Sequence, residues 1–348
     1  MKFKNILSLF DGISCGQLAL ERAGIEYDNY YASEIDKNAI NITQANYPRT
    51  IQLGDVRGLD FRFFRNVDLL IGGSPCQDLS IANENRKGLA GERSSLFYRF
   101  VDALEQCKPK YFLLENVASM GVKEREIITK TLGVEPVMID STLVSAQSRK
   151  RLYWTNIKGI EKPRDRKIFI KDILESETVG IYQTPQGKNN GGLHSEKSTT
   201  ITANSWEYNN KVLEPLGCAI RTWPRTKDKG KRVQRVEVRY DRKANSLLLV
   251  EKSSRVLLPV DEISGKINGT VIKVENKTVT TPNGVTYPID LPDGYYIARK
   301  LSPVECERLQ TIPDNYTAHA SNTQRYKAIG NGWTVDVITH IFKYLKEE

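Results

Sequence analysis

The chain has 348 residues, a formal net charge of +9 and a sequence pI of about 9.1. That length allows one large domain and a smaller one, and the basic balance suits a polyanionic partner. The five cysteines are odd in number, widely spaced and form no C-x-x-C pair; they are Cys15, Cys76, Cys107, Cys218 and Cys306. This usage excludes a disulfide framework and indicates free thiols in a reducing cytosol.

The sequence contains no feature typical of a metal-dependent or a membrane-bound protein. The three histidines (His194, His319 and His340) lie far apart and make no metal-ligand cluster, so we predict no metal site. The first apolar run spans only six residues before Asp11, and no stretch reaches the length of a membrane-spanning helix. We therefore expect a cytoplasmic protein without a signal peptide.

The first predicted strand, residues 5–10, leads through a glycine turn into a helical pattern over residues 17–23. Unpaired backbone N–H groups at such a helix start bind negatively charged groups, and Gly12 and Gly16 allow a ligand to approach the backbone closely. The spacing is G-x-x-x-G, whereas a dinucleotide site needs G-x-G-x-x-G, so NAD binding is disfavoured. A plain connection between strand and helix is the alternative.

Acidic residues follow the next two predicted strands. The second strand, residues 29–33, ends in Glu34, where a carboxylate is placed to accept hydrogen bonds from ribose hydroxyls. An N-cap for the helix that begins near Asp36 is the alternative role. The third strand ends in Asp55 and Val56, which suit an exocyclic amine and a flat ring respectively. Together these strand ends predict a pocket for a nucleoside joined to an amino acid.

A cysteine follows the fourth predicted strand. Residues 67–71 are apolar and stop at two glycines, which predicts a buried parallel strand. Pro75 and Cys76 come directly after it, at the carboxyl end where open α/β sheets place their ligands. The polar stretch that continues to Gly91 exceeds a plain connection and predicts an active-site loop. A buried structural thiol is the alternative for a single cysteine.

Candidate acid and anion-binding groups follow this loop. An amphipathic helix over residues 95–107 precedes a strand over 110–114, which stops at Glu115. A carboxylate at the end of the strand beside the Cys76 strand is a candidate general acid. Further on, Arg149 and Arg151 are spaced i and i+2 on an extended segment, so they point to one face and suit a phosphate or carboxylate. A solvated charged edge is the alternative.

The motifs, taken in order, resemble those of the DNA cytosine-5 methyltransferases. They are Phe10-Asp11-Gly12 with Gly16, Glu34, Asp55, Pro75-Cys76-Gln77, Glu115-Asn116-Val117, Gln147-x-Arg149-x-Arg151, the segment from Arg299 to Gln310, and Ile329-Gly330-Asn331-Gly332. They cover residues 1–157 and 295–348 and leave the middle unmatched. The loop around Pro75-Cys76 is also similar to that of the animal de novo branch.

The resemblance implies transfer of a methyl group from S-adenosylmethionine to carbon 5 of a cytosine, with S-adenosylhomocysteine as product. It also implies that the cytosine is flipped out of a specific double-stranded DNA sequence and reacts through a covalent Cys76 adduct. The implied catalytic residues are Cys76, Glu115, Arg149 and Arg151. The implied cofactor-binding residues are Phe10, Ile13, Glu34, Ile35, Asp55, Val56, Gly73, Pro75, Leu96, Asn331 and Trp333. Trp333 departs from the valine usual in bacterial members.

The unmatched middle has a different texture, rich in Thr, Asn, Lys and Arg. Ten basic residues against three acidic ones lie between residues 221 and 243, which favours a phosphate-contacting surface over a solvated loop. Asn189 and Asn190, in a glycine-rich segment, are candidates to fill the gap that the flipped base leaves. The DNA-contacting residues we predict are Gln77, Ser80, Asn116, Gln147, Asn189, Asn190, Arg225 and Lys231.

We therefore predict an α/β fold: a mostly parallel, Rossmann-like sheet of the S-adenosylmethionine-dependent type with helices on both faces, plus a small irregular β-rich domain. Residues 1–157 and 297–348 form the catalytic domain in this prediction, and residues 158–296 the target-recognition domain. An apolar closing helix over residues 334–345 returns to the N-terminal sheet.

Two other classes of function are alternatives: a member that methylates transfer RNA and a catalytically silent DNA-binding module. A large basic variable domain favours duplex DNA over RNA, and the presence of every chemical residue argues against silence. We predict a monomeric modification enzyme of a bacterial cytoplasm or phage-infected cell. It acts either with a cognate restriction endonuclease in a restriction-modification system or alone.

Overall fold

The structure is a computed structural model that describes residues 1–74, 96–169, 172–175, 180–183, 192–194, 210–215, 218–223, 233–240, 259–260, 270–280, 286–288 and 293–345. The described residues form two compact units. The first unit takes them from residues 1–168 and 303–345, and the second from residues 169–302.

A seven-stranded sheet is the centre of the first unit. Its strands are β1 (Lys2–Leu9), β2 (Glu26–Ser33), β3 (Ile51–Gln52), β4 (Leu69–Gly73), β5 (Tyr111–Val117), β6 (Val137–Asp140) and β7 (Lys150–Thr155), in the spatial order β3-β2-β1-β4-β5-β7-β6. All pairings from β3 to β5 are parallel, and β7 runs antiparallel to both of its neighbours. The predicted mostly parallel α/β sheet is confirmed.

Helices cover both faces of this sheet because its central strands are apolar on both sides. Leu69 and Ile71 of β4 belong to one buried apolar cluster, whereas Leu70 between them belongs to the other, as the two-residue period of a strand requires. The helices among the described residues of the unit are α1 (Cys15–Arg22), α2 (Lys37–Asn46), α3 (Phe97–Cys107), α4 (Val122–Leu132), α5 (Pro303–Leu309), α6 (Asn322–Asn331) and α7 (Val335–Phe342).

The closing helix, α7, packs as the sequence predicted. Val335, Ile338 and Phe342 are fully buried in the same cluster as Ile6 of β1 and Leu18 of α1. The end of the chain thus completes the core that its first strand begins.

One strand is longer than predicted, and this moves two candidate residues. The sequence predicts that a strand stops before Glu115, but β5 continues to Val117. Glu115 and Asn116 are paired in the ladder with Tyr153 and Leu152 of β7. Because each of their backbones is fixed by a neighbouring strand, their side chains are held more rigidly than they would be on a loop.

The second unit is β-rich, which confirms that part of the prediction. One antiparallel sheet contains β8 (Gly180–Gln183), β9 (Gly192–His194), β10 (Asn210–Pro215), β14 (Thr270–Glu275), β15 (Thr278–Thr280), β16 (Thr286–Pro288) and β17 (Gly294–Lys300), in the order β16-β15-β14-β17-β10-β8-β9. A three-stranded sheet holds β11 (Cys218–Trp223), β12 (Val233–Tyr240) and β13 (Pro259–Val260).

The division between the units differs from the predicted boundaries at two places. Residues 158–168 belong to the first unit, where the Arg166 amide donates to the Leu143 carbonyl at 2.9 Å. Residues 297–302 belong to the second unit, since β17 pairs with β10 and β14. The sequence motif from Arg299 to Gln310 continues from the end of β17 into α5. It therefore gave no signal that a boundary between the units lies within it.

Neither membrane spans nor metal-ligand groups occur in the part of the chain that the structure describes. No helix there has the length and apolar character needed to cross a membrane. The same described residues bring together no group of three or more potential metal ligands.

We expect Ile338→Ala to lower the free energy of unfolding by about 2–5 kcal/mol, because it leaves a cavity beside the sheet. Ile338 is 0% exposed and Val122 is 59% exposed, so Val122→Ala is the matched control, with an expected change within about 0.5 kcal/mol. Urea denaturation measures both. Equal losses in the two variants would show that α7 is not part of the core.

Candidate active site

The candidate site lies along the carboxyl edge of the parallel strands. The order β3-β2-β1-β4-β5 places the direction change of the chain between β1 and β4, and open α/β sheets bind ligands outside such a point. Leu9 of β1 is paired with Gly72 of β4, so the glycine turn and the segment after Gly73 leave the sheet side by side.

The glycine turn is tied to the end of β2. The Asp11 amide donates to the Ser33 carbonyl at 3.1 Å, and the Gly12 amide donates to Glu34 Oε2 at 2.8 Å. Gly12 has φ +61°, in the left-handed region that glycine adopts without strain. The sequence therefore needs glycine here to turn the backbone toward the Glu34 carboxylate.

Asp11 is a titratable group of this turn that the sequence analysis did not single out. Its carboxylate is partly buried and accepts hydrogen bonds from the Tyr30 hydroxyl at 2.8 Å and from the Ser14 hydroxyl. Removal from water raises the pKa of Asp11 to about 6, against the opposing effect of the hydroxyl donors. Its motif position could have identified it.

Glu34 is held by backbone amides, and it does not cap α2. Its Oε1 accepts from the Ile35 amide at 2.7 Å and from the Asp36 amide at 2.8 Å. The N-cap is Asp36, whose Oδ1 accepts from the Asn38 amide at 2.9 Å, so the alternative role for Glu34 is wrong. Ile35 is 67% exposed, an apolar side chain displayed beside the carboxylate.

Asp55 lies at the end of β3, with its carboxylate facing an arginine. Arg57 Nη2 contacts Asp55 Oδ2 at 2.6 Å, and the Arg57 hydrogen bonds hold the pKa of Asp55 below its usual range. Val56 is 4% exposed and packs in the core with Leu9 and Phe61. The exposed apolar group of this edge is therefore Ile35, since Val56 faces inward.

The other candidate cofactor residues of the first unit are placed around the same edge. Phe10 and Leu96 are partly buried against the cluster that contains Leu9. Ile13 is buried, and its carbonyl accepts from the Tyr316 hydroxyl at 2.8 Å. Asn331 is the exposed last residue of α6.

Glu115 is the centre of the site. Its carboxylate is 9% exposed, with Oε1 at 2.7 Å from Arg151 Nε and Oε2 accepting from Trp333 Nε1 at 3.2 Å. Gly73 is paired directly with Glu115 across the parallel ladder. The structure thus brings together four residues that lie far apart in the sequence.

Asn116 fixes the start of the Pro-Cys segment. It is 1% exposed, and its Nδ2 donates to Ser74 Oγ at 3.1 Å and to the Ser74 carbonyl at 3.3 Å. The buried amide has no surface for DNA, so its role in this structure is to hold the peptide group that precedes Pro75. Ser74, the partner of Asn116, was not predicted from the sequence.

Arg149 and Gln147 also lie inside the first unit. Arg149 is 6% exposed, and its Nη2 donates to the Gly330 carbonyl at 3.2 Å and to the Gly332 carbonyl at 3.1 Å. Gln147 is 0% exposed and donates to the Leu309 carbonyl at 3.3 Å. Burial corrects the prediction that Gln147 contacts DNA, because it offers no surface. The interpretation of Arg149 as part of a solvated edge is likewise wrong.

Several predicted site residues lie outside the described part of the chain. They are Pro75, Cys76, Gln77, Ser80, Asn189, Asn190, Arg225 and Lys231. Their assignments stay predictions.

A family profile described as C-5 cytosine-specific DNA methylase matches residues 4–347. The chain belongs to this family. It is a DNA cytosine-5-methyltransferase, and the family uses S-adenosylmethionine as the methyl donor.

Similar proteins include phage and bacterial methylases. Orphan methyltransferase M.SPRI of Bacillus phage SPR is 26% identical over 429 residues, which cover 98% of this chain and 97% of that relative. Type II methyltransferase M.HhaI of Haemophilus parahaemolyticus is 24% identical over 355 residues, which cover 96% of this chain and 92% of the relative.

Solved structures share the fold of this methylase. The Entamoeba histolytica methyltransferase EhMeth superposes with a TM-score of 0.61 at 16% identity, covering 99% of this chain and 98% of the other. A putative DNA modification methyltransferase encoded within an E. coli prophage gives a TM-score of 0.54 at 20% identity, with 98% of each chain covered. Both likenesses support the Rossmann-like methyltransferase fold.

Asp11 makes the stability of the methylase depend on pH. Because its pKa is about 6 in the fold and 3.8 for a free carboxyl group in water, the fold favours the neutral acid. The contribution of Asp11 to stability is therefore fully present below pH 4 and is lost as pH rises through 6, by at most about 3 kcal/mol. Urea denaturation from pH 4 to pH 8 should show this loss in the natural protein, and Asp11→Asn should lack it.

Asp60→Asn is the control for this measurement. Arg62 lowers the pKa of the exposed Asp60 carboxylate, so removing the Asp60 charge should leave the loss between pH 4 and pH 8 unchanged. Identical profiles for the natural protein and Asp11→Asn would contradict the assignment to Asp11.

Proposed function

We propose that this DNA cytosine-5-methyltransferase acts on a cytosine turned out of a specific double-stranded sequence, through a temporary bond between Cys76 and carbon 6. The observation that carries the proposal is the fixed Glu115 carboxylate at the end of β5. Glu115 is paired with Gly73, and Gly73 precedes Cys76 by three residues in the chain. A buried carboxylate beside the strand that leads to a Pro-Cys segment is the arrangement this chemistry needs.

The chemistry follows from the weak nucleophilicity of cytosine carbon 5. Addition of the Cys76 thiolate to carbon 6, with Glu115 stabilising a proton at the ring nitrogen, makes carbon 5 enamine-like. S-adenosylmethionine, when bound, supplies an electrophilic methyl group. After carbon 5 is methylated, it loses its proton to a base, and the thiolate leaves carbon 6. Turning the base out costs roughly a few kcal/mol of stacking and pairing.

The residues along the carboxyl edge fit S-adenosylmethionine. Glu34 offers carboxylate oxygens to ribose hydroxyls, and Asp55 offers an acceptor to an exocyclic amine. Ile35, 67% exposed, offers an apolar surface to a flat ring. Gly12 leaves the backbone open to close approach, because nothing lies within 4 Å of where its Cβ would be. Gly16, which was predicted to do the same, instead makes room for the side chains of Ile71 and Tyr30. The proposed cofactor set is completed by Phe10, Ile13, Gly73, Pro75, Leu96, Asn331 and Trp333.

Two arginines are proposed to serve the reacting base in different ways. Arg151 orients Glu115 directly through the 2.7 Å ion pair. Arg149 holds the carbonyls of Gly330 and Gly332, which fixes the backbone on both sides of Asn331. Asn116, bonded to Ser74, sets the direction in which the Pro75-Cys76 segment leaves the sheet.

The β-rich second unit is the proposed target-recognition domain. Its basic residues, with Arg225 and Lys231 among them, would neutralise phosphates, and Asn189 and Asn190 would occupy the gap left by the base. Gln77 and Ser80, in the segment after Cys76, are proposed to contact DNA from the first unit. We propose that the second unit, within residues 169–302, is this domain, and that the first unit is the catalytic domain.

The similar proteins suggest the biological setting. They include an orphan methyltransferase of a phage and type II methyltransferases of bacteria. We propose a monomeric modification enzyme of a bacterial cytoplasm or phage-infected cell. Bisulfite sequencing of DNA from cells that express it identifies its target, and the absence of a recurrent methylated sequence would contradict sequence-specific action.

Cys76→Ala should abolish methyl transfer and leave DNA binding largely intact, because only the bond to carbon 6 is lost. DNA that contains 5-fluorocytosine should trap the natural enzyme covalently but not the variant, as denaturing electrophoresis measures. Cys107→Ala, which removes a partly buried thiol of α3, is the matched control and should still be trapped. Trapping of Cys76→Ala would overturn the assignment. Methylation of transfer RNA but not of DNA would overturn the DNA substrate.

Arg225→Ala and Lys231→Ala should each weaken binding across all DNA sequences and reduce the slope of log affinity against log salt by roughly one unit, because each is proposed to neutralise one phosphate. Filter binding at several salt concentrations measures the slope. Arg62→Ala removes an exposed charge that is paired with Asp60 in the first unit, and it should leave the slope unchanged. An unchanged slope in both second-unit variants would contradict this surface.

A further inference from the structure

Trp333 occupies the space between the glycine turn and the catalytic carboxylate. Its Nε1 donates to Glu115 Oε2 at 3.2 Å. A Cβ added at Gly73 would lie 2.8 Å from that same Nε1, and one added at Gly16 would lie 3.8 Å from Trp333 Cζ3. The indole therefore spans from the turn after β1, across the end of β4, to the side chain on β5.

The contact is aimed at one oxygen of the carboxylate. Arg151 contacts Oε1 at 2.7 Å, so the indole N–H and the guanidinium hold different oxygens of the same group. Hydrogen bonds to a charged acceptor are the stronger kind, and two donors on separate oxygens fix the rotation of the carboxylate. A side chain that only packed on the cofactor would need no donor directed away from it.

The backbone of Trp333 is itself held in place. The Gly332 carbonyl, which precedes it, accepts from Arg149 Nη2 at 3.1 Å and from Gln310 Nε2 at 3.3 Å. The hydroxyl of Thr334, which follows it, donates to Gln310 Oε1 at 2.7 Å. The indole thus projects toward Glu115 from a backbone that is fixed on both sides.

We propose that Trp333 is a positioning residue for Glu115, which presents the carboxylate to the cytosine ring while the indole face borders the cofactor turn. This inference rests on the proposed role of Glu115 in the reaction. Trp333 performs this function through its indole N–H. The valine usual in bacterial members has no side-chain donor and could not replace it. The contact also requires glycine at position 73, because any side chain there would collide with the indole and come within 3.1 Å of Glu115 Oε2.

A double-mutant cycle tests the proposal. Trp333→Phe keeps an aromatic ring and removes the N–H. It should slow single-turnover methyl transfer about tenfold while the affinity for S-adenosylhomocysteine stays within about twofold. In a Glu115→Gln background the same change should have little further effect, because a positioning residue acts through its partner. Independent, multiplicative losses, or a loss confined to cofactor affinity, would overturn the proposal.

Trp154→Phe is the matched control. It removes an indole N–H that donates to Thr129 Oγ1 at 2.9 Å, in the same sheet but away from the carboxyl edge. We expect it to lower stability and to leave the single-turnover rate within about twofold. A tenfold slower reaction here would show that loss of any indole hydrogen bond of the sheet is sufficient, and would also overturn the proposal.

A direct measurement does not depend on the folding of Trp333→Phe. The chain has four tryptophans, so the ¹⁵N-labelled indole spectrum is simple. Glu115→Gln should shift one indole N–H resonance while the Trp154 resonance stays in place, and four unmoved resonances would overturn the contact. If the natural enzyme is not trapped by 5-fluorocytosine DNA, the proposed function fails. If it is trapped but Trp333→Phe reacts as fast, only the positioning role fails.

Discussion

The parallel pairing of β4 with β5 is the constraint on which the site depends. It sets Gly73 opposite Glu115, and only a residue without a side chain leaves room there for the Trp333 indole and the carboxylate together. The backbone ladder thus fixes the distance between the strand that leads to Cys76 and the strand that carries the acid. Because both strands are buried among apolar side chains, this distance is maintained by the core of the first unit.

The order of the strands places the glycine turn, proposed to bind the cofactor, beside the start of the segment that carries Cys76. The chain builds outward from β1 through β2 to β3, then returns to add β4 on the other side of β1. The glycine turn and the Pro-Cys segment therefore start from neighbouring strands, as at other sites where a doubly wound sheet changes direction. The last helices close the same edge: α7 shares the core of β1, and the turn before it carries Trp333.

The sequence predicted most of this arrangement, and its errors have a common cause. Strand and helix positions of the first unit followed from apolar periodicity and from glycine stops, and most were found within a few residues. The roles of individual polar residues were predicted less well. Gln147 was predicted to contact DNA, and a solvated charged edge was the alternative for Arg149, but both are buried and bind backbone carbonyls. Apolar periodicity indicates which face of a strand or helix is buried. It does not indicate which backbone carbonyls need a side-chain donor inside the fold.

The family, the order of the strands along the chain and the residue types of the chemistry could all be predicted from the amino-acid sequence, because motifs and turn residues are local. The packed fold was needed to show which oxygen of Glu115 each donor takes and that Trp333 reaches that carboxylate. Those contacts join residues up to 218 positions apart, and side-chain hydrogen bonds at such separation depend on register and packing, which no local pattern encodes.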